Sequence, residues 1–116
     1  VRHQPIPDVT PDDVERVVRR DFPEEQFDSV MVVVNGYLSK RERSRVQLAS
    51  LKLANGDLDA LRKHIATALE DFRDILAPAE YPEYSKHGFR VRELDPKEQQ
   101  RIIASDWEQY EAWLKR

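Results

Sequence analysis

SKRERSRVQLASLKLANGDLDALRKHIATALEDFRDILA, residues 39–77, reads as two patterned helices folded back on each other through Asn55-Gly56-Asp57. In the second, Leu58, Leu61, Ile65, Ala68, Leu69, Phe72, Ile75 and Leu76 recur at three-and-four spacing and make one buried stripe. Asp59, Arg62, Lys63, Glu70, Arg73 and Asp74 fall on the opposite, wet face. Asp57 stands where an N-cap carboxylate accepts from unpaired amides. Pro78, which lacks a donor and disfavours a helical Ala77, ends the pattern. The spacing predicts a helix over 58–77.

The first helix is predicted over 40–55. Ser39-Lys40-Arg41-Glu42 has the form of a capping box, in which serine and glutamate satisfy each other's amides for about 1 kcal/mol. Val46, Ala49 and Leu53 lie on one side, and Leu48 with Leu51 lie well round the cylinder from them. Such a helix needs two neighbours, so it is read as central, with Ser50 and Ala54 small enough for a close approach on the remaining side.

Outward from this pair, Thr10-Pro11-Asp12-Asp13 reads as a capped helix start, with Val14, Val17 and Val18 facing inward. Pro23-Glu24-Glu25 opens a second helix by the same chemistry. Val30-Met31-Val32-Val33-Val34 before Asn35-Gly36 also suits a strand entering a turn. Helix is preferred, because Phe27, Val30, Met31, Val34 and Leu38 keep helical spacing and Gly36 can end a helix in the left-handed conformation. Residues 77–94 read as irregular, with a short strand at 89–94 as an option. Asp95-Pro96-Lys97-Glu98 starts a last helix with a cap and a box-like glutamate. Five helices, near 11–20, 23–35, 40–55, 58–77 and 96–115, give an all-α domain, orthogonal or bundle-like, around a central helical hairpin. Residues 10–116 form this single domain and 1–9 are read as a flexible tail.

Composition agrees. In 116 residues there are three glycines and 35% charged side chains, which favours helices over a turn-rich β fold. With no cysteine, neither a disulfide framework nor a thiolate site can form. Nineteen basic residues against twenty-two acidic ones, net −3, argue against a general nucleic-acid or anionic-membrane binder. No apolar run approaches the roughly 20 residues of a membrane span, and the N-terminus lacks the signal-peptide pattern, so a cytoplasmic protein is expected.

The run RVQLASLKLANGDL at 45–58, continued by DFRDIL at 71–76 and AEYP at 79–82, resembles small uncharacterised bacterial all-helical proteins over residues 39–84. The resemblance implies the helical hairpin and a bacterial origin. It implies no activity, cofactor or catalytic residue.

No metal-ligand spacing, phosphate-cradling glycine loop or nucleophile with an adjacent base stands in the chain, so no catalytic, cofactor-binding or metal-ligating residue is assigned. His64 and Asp71 share a helix flank, but two turns separate them by about 10 Å, too far to share a metal directly. His87 with Glu83 or Glu80 has no ligand spacing, and His3 lies in the tail. The last helix carries a main stripe of Ile103, Trp107, Tyr110 and Leu114 and a second line of Ile102 and Trp113. That apolar arc is wider than one neighbour requires. The aromatics Tyr81, Tyr84, Phe89, Trp107, Tyr110 and Trp113 gather in the C-terminal third, either as a core beneath the 78–94 segment or as a contact surface.

The leading expectation is a non-enzymatic protein-protein interaction module. Its interface candidates are Ile102, Trp113, Tyr81, Tyr84, Arg90 and Arg92, and its partner is an unknown protein or a second copy in a homodimer. The alternative is a nucleic-acid-associated regulator in which Lys40, Arg41, Arg43 and Arg45 meet phosphates or an acidic partner. Part of that basic row, which Lys52 extends, can instead pair with acids such as Glu70 or Asp74.

Overall fold

The computed structural model describes residues 4–116 and shows an all-α chain, with no strand among the described residues. Among the described residues seven α-helices replace the five expected: α1 Pro11–Asp21, α2 Phe27–Val34, α3 Arg43–Ala54, α4 Leu58–Glu70, α5 Arg73–Glu80, α6 Pro82–His87 and α7 Pro96–Lys115. Short 3-10 turns occupy Glu24–Gln26 and Gly88–Glu93.

The hairpin forms as its sequence dictates. Asn55 and Gly56 both take positive φ, 49° and 82°, and reverse the chain. The Asp57 carboxylate accepts from the amides of Asp59 and Ala60 at 2.9 and 3.2 Å. α3 is the central helix, packed by α1, α4 and α5, and every residue from Val46 to Leu51 is buried. Its start differs from the predicted box. The Ser39 hydroxyl accepts from the Arg41 amide instead, and Glu42 precedes the helix in the left-handed region at φ 54°. The Tyr37 hydroxyl, donating to the Arg41 carbonyl at 3.1 Å, ties the 37–41 loop into a non-helical path and delays the helix to Arg43.

The predicted 58–77 helix is two helices. Asp71 leaves the helical region at φ −155° and ψ 104°, and its carboxylate accepts from the Arg73 amide at 3.0 Å. A short carboxylate that bonds the backbone two residues on competes with helix continuation. Pro78 therefore does not end α4. It sits exposed within α5, where only the exposed Asp74 position loses an amide partner. The break turns Ile75, Leu76 and Ala79 onto α3.

α1 carries the predicted Thr10 cap, with Asp13 completing the box, and buries Val14, Val17 and Val18. Residues 27–34 are helix and not strand. Gly36 is not left-handed; a Cβ there would meet the Val33 carbonyl oxygen at 2.9 Å and Ile65 Cγ2 at 3.3 Å, so glycine is favoured chiefly by the closeness of the last turn of α2 and secondarily by α4. The buried Gln47 amide donates to the Val34 and Tyr37 carbonyls and closes the C-terminal end of α2.

The 77–94 segment is not irregular. Pro82 opens α6, which has no capping side chain of its own; the buried Asp106 carboxylate of α7 reaches across and accepts from the Glu83 and Tyr84 amides at 3.1 and 2.9 Å. Asp106→Ala is expected to cost about 2 kcal/mol, as loss of hydrogen bonds to a charged acceptor does. Chemical denaturation measures that, and amide exchange at residues 83 and 84 should quicken; unchanged protection there would count against the cap.

α7 keeps its predicted bounds, with Asp95 accepting from the Lys97 amide at 2.7 Å, but Glu98 turns to Arg101 and leaves the box incomplete. Ile102, Ile103, Tyr110 and Trp113 face inward, whereas Trp107 and Leu114 are half-buried, so the main stripe lies rotated from the predicted one. Tyr110 and Trp113 join the main core, with ring centroids 5.5 Å apart. Val91, Ile102 and Ile103 are buried outside it, and α6 packs on α7. α6 and the turn after it, exposed at Gly88–Arg90, form a tip carried on α7, and the described chain measures 48 × 29 × 23 Å. Residues 4–9 are not helical, yet Pro7 is buried and Val9 packs on the core, so this part of the expected tail lies on the domain. His3 falls outside the described residues.

Candidate interaction site

The predicted interface residues divide sharply. Ile102 and Trp113 are covered by this chain and are 1% and 8% exposed, which removes both from an interface. Arg20 closes over Trp113 from α1: its guanidinium lies 5.1 Å from the indole and donates to the Trp113 carbonyl at 2.7 Å, satisfying the end of α7. Tyr81 and Tyr84 are half-buried, Tyr84 giving its amide to Asp106. Arg90 and Arg92 are exposed.

Just before those arginines stands Phe89, 88% exposed, with the Arg92 guanidinium 6.0 Å from its ring. Gly88 sets this up. At φ 53° and ψ −129° it holds the conformation of the first central residue of a type II′ turn, which glycine dominates, and so ends α6 and throws the next side chain outward. From Tyr84 to Arg92 the chain carries Lys86, Arg90 and Arg92 and no acid. An open hollow of about 680 Å³ lined by Arg90 has both signs of charge on its walls, Lys86 and His87 standing with Glu83 and Asp106. The clustering of aromatics signalled this region, but periodicity could not separate Phe89 from its buried neighbours. Only the glycine before it marked a turn.

The basic start of α3 is largely spent inside the molecule. Arg45 forms a two-armed pair with Glu80, Nε to Oε2 at 2.8 Å and Nη2 to Oε1 at 2.6 Å, and also donates to the Tyr81 hydroxyl at 2.9 Å. The acid is thus Glu80, not Glu70 or Asp74. Arg43 donates to the Leu38 and Ser39 carbonyls, and Arg41 lies 5.8 Å over the Phe72 ring. Lys52 is half-buried, and burial, opposed by Asp106, holds its ammonium below the ordinary range. Lys40 is exposed. An open hollow of about 780 Å³ lies beside this loop with Tyr37, Arg41, Asp71 and Arg73 on its walls. There Arg73 is bound to Asp71 at 2.9 Å, and that bond holds the Asp71 carboxyl below its usual range.

The acids offered as histidine partners are engaged elsewhere: Asp71 with Arg73, Glu80 with Arg45, and Glu83 with Arg101 at 3.6 Å. Among the described residues no three side chains of metal-ligating type converge, and no helix is long and apolar enough to cross a membrane. Burial, and then the charge of Glu80, push the Tyr81 hydroxyl up to about 12, with Arg45 opposing. A folded-state value above the ordinary 10.0 gives stability that is whole below that pH and lost as pH rises through the folded value. Alkaline unfolding is therefore expected to steepen between those two pH values, and Tyr81→Phe to flatten it in a pH series of denaturation curves.

Comparison with known proteins finds no matching family model, no matching curated protein and no matching solved structure.

Proposed function

We propose that the chain is a non-enzymatic protein-interaction module whose contact is the tip formed by α6 and the Gly88–Glu93 turn, with Phe89 at its centre. The supporting observation is an aromatic ring almost wholly in water on a basic turn, fixed there by a glycine of restricted geometry. Aromatic and arginine side chains are the types that anchor interfaces. The surface differs from the one the sequence suggested, because the last helix spends Ile102 and Trp113 on its own fold.

Phe89→Ala is expected to leave stability within about 0.5 kcal/mol of the parent, since the ring covers nothing, while removing association. Replacement of Phe89 by the photo-crosslinker benzoylphenylalanine, followed by irradiation in the producing cell, tests the reading. The expected adduct is sensitive to protease and resistant to nuclease. No adduct would overturn it. A nuclease-sensitive adduct would transfer the site to the second reading, a nucleic-acid-associated regulator, for which an exposed ring beside arginines suits base stacking and for which the start of α3 retains Lys40 and Arg41.

A further inference from the structure

We infer that the tip docks on a second copy of this chain, in the hollow formed by Phe22, Pro23 and Phe27 where α1 turns into α2. This rests on the reading of the tip as a protein contact and names its partner. The hollow measures about 240 Å³, against about 150 Å³ for a cavity that accepts benzene, so it holds one phenyl ring. Glu24 lines it, and Glu25 and Asp28, exposed like Glu24, belong to the same run from Asp21 to Asp28, which contains no base. These three exposed acids complement in charge the three exposed bases of the tip, Lys86, Arg90 and Arg92. Arg19 also lines the hollow, its guanidinium 4.1 Å from the Phe27 ring; an incoming aromatic stacks on the outer face of that cation.

The two surfaces do not meet within one chain: Phe89 is 88% exposed, no residue of the tip lines the hollow, and Lys86 and Arg90 lie instead beside Ser105 and Gln109 of α7. The contact joins two different patches, so it forms either twice about a two-fold axis in a dimer or head to tail in short chains or a closed ring. Two different charge runs make it, so it weakens with salt.

Light scattering after size exclusion, over a hundredfold concentration range reaching millimolar, tests this. The mass of the parent protein is expected to rise with concentration and fall with salt. Phe89→Ala and Glu24→Lys/Glu25→Lys should each weaken association by about tenfold or more. Arg90→Glu/Arg92→Glu alone should not associate, yet mixed with Glu24→Lys/Glu25→Lys it should, because every contact in the alternating mixture is again complementary. Circular dichroism checks that these surface variants stay folded. A parent protein of constant single-chain mass, a Glu24→Lys/Glu25→Lys protein that associates like the parent, or a mixture that stays apart would each overturn the docking. A crosslink from position 89 to a different protein would then leave the tip reading standing, whereas absence of any crosslink would remove both.

Discussion

Trp113→Ala is expected to destabilise the protein by about 3–5 kcal/mol, the range for deleting a large buried aromatic. The indole is 8% exposed, packs on Tyr110 at 5.5 Å, and carries the Arg20 guanidinium above it. Its loss opens a cavity and also removes the surface on which Arg20 rests while that arginine closes the end of α7. Against a total of about 5–15 kcal/mol for a domain of this size, the variant should melt well below the parent, by 10 °C or more on the order of the usual scaling. Calorimetry and denaturant titration measure it. Trp113→Phe should recover part of the loss by keeping a ring in the same space. A variant with unchanged melting and altered association would return Trp113 to an interface and reverse the assignment made from its burial. The contrast with Phe89→Ala is diagnostic: one aromatic carries stability without association, the other association without stability.

The hairpin, the caps at Thr10, Asp57 and Asp95, and the limits of α7 were legible because each rests on residues within a turn or two of one another. Backbone amides at a helix start must find acceptors, and a threonine or aspartate at the right offset supplies them. Three features were not legible, for a common reason. Asp71 breaks the 58–77 helix although the apolar spacing continues straight through to Leu76, because a local carboxylate bond competes with a periodicity that says nothing about it. The Ser39 box fails because Tyr37, outside the pattern, anchors the Arg41 carbonyl. Most consequentially, α6 owes its cap to Asp106, twenty-three residues away from Glu83, so residues 77–94 carry no sequence sign of order. That same concealed order bears on the candidate site: with Ile102 and Ile103 buried and α6 packed on α7, the apolar surplus of α7 is consumed and the exposed aromatic is Phe89.

Arg45→Met is expected to cost about 3–5 kcal/mol, as breaking a buried pair does, because it strands Glu80. That carboxylate is 2% exposed, and both its oxygens face the Arg45 guanidinium at 2.6 and 2.8 Å. The hydrogen bond to Glu80, followed by its charge, drives the guanidinium pKa still further up, so the arginine stays charged whatever the pH. Arg45→Met/Glu80→Leu should be more stable than Arg45→Met alone, since removing both charges removes the desolvation that neither can bear singly. Denaturant titration of the parent, both single variants and the pair gives the coupling, and a single variant within about 1 kcal/mol of the parent would count against the pair as a tether. The tether also has a place in the proposed function. Glu80 and Tyr81 end α5 and lead directly into Pro82, and the Glu80 carbonyl accepts from Gln109 of α7 at 3.3 Å. Arg45 therefore pins to α3 the joint from which the tip projects. Arg45→Met should quicken amide exchange across residues 83–93 without touching Phe89, whereas Phe89→Ala should leave that exchange unchanged. If the tip is the contact, its affinity then depends on a charge pair that no partner reaches, because a ring held out on a loosened support must be ordered again each time it binds.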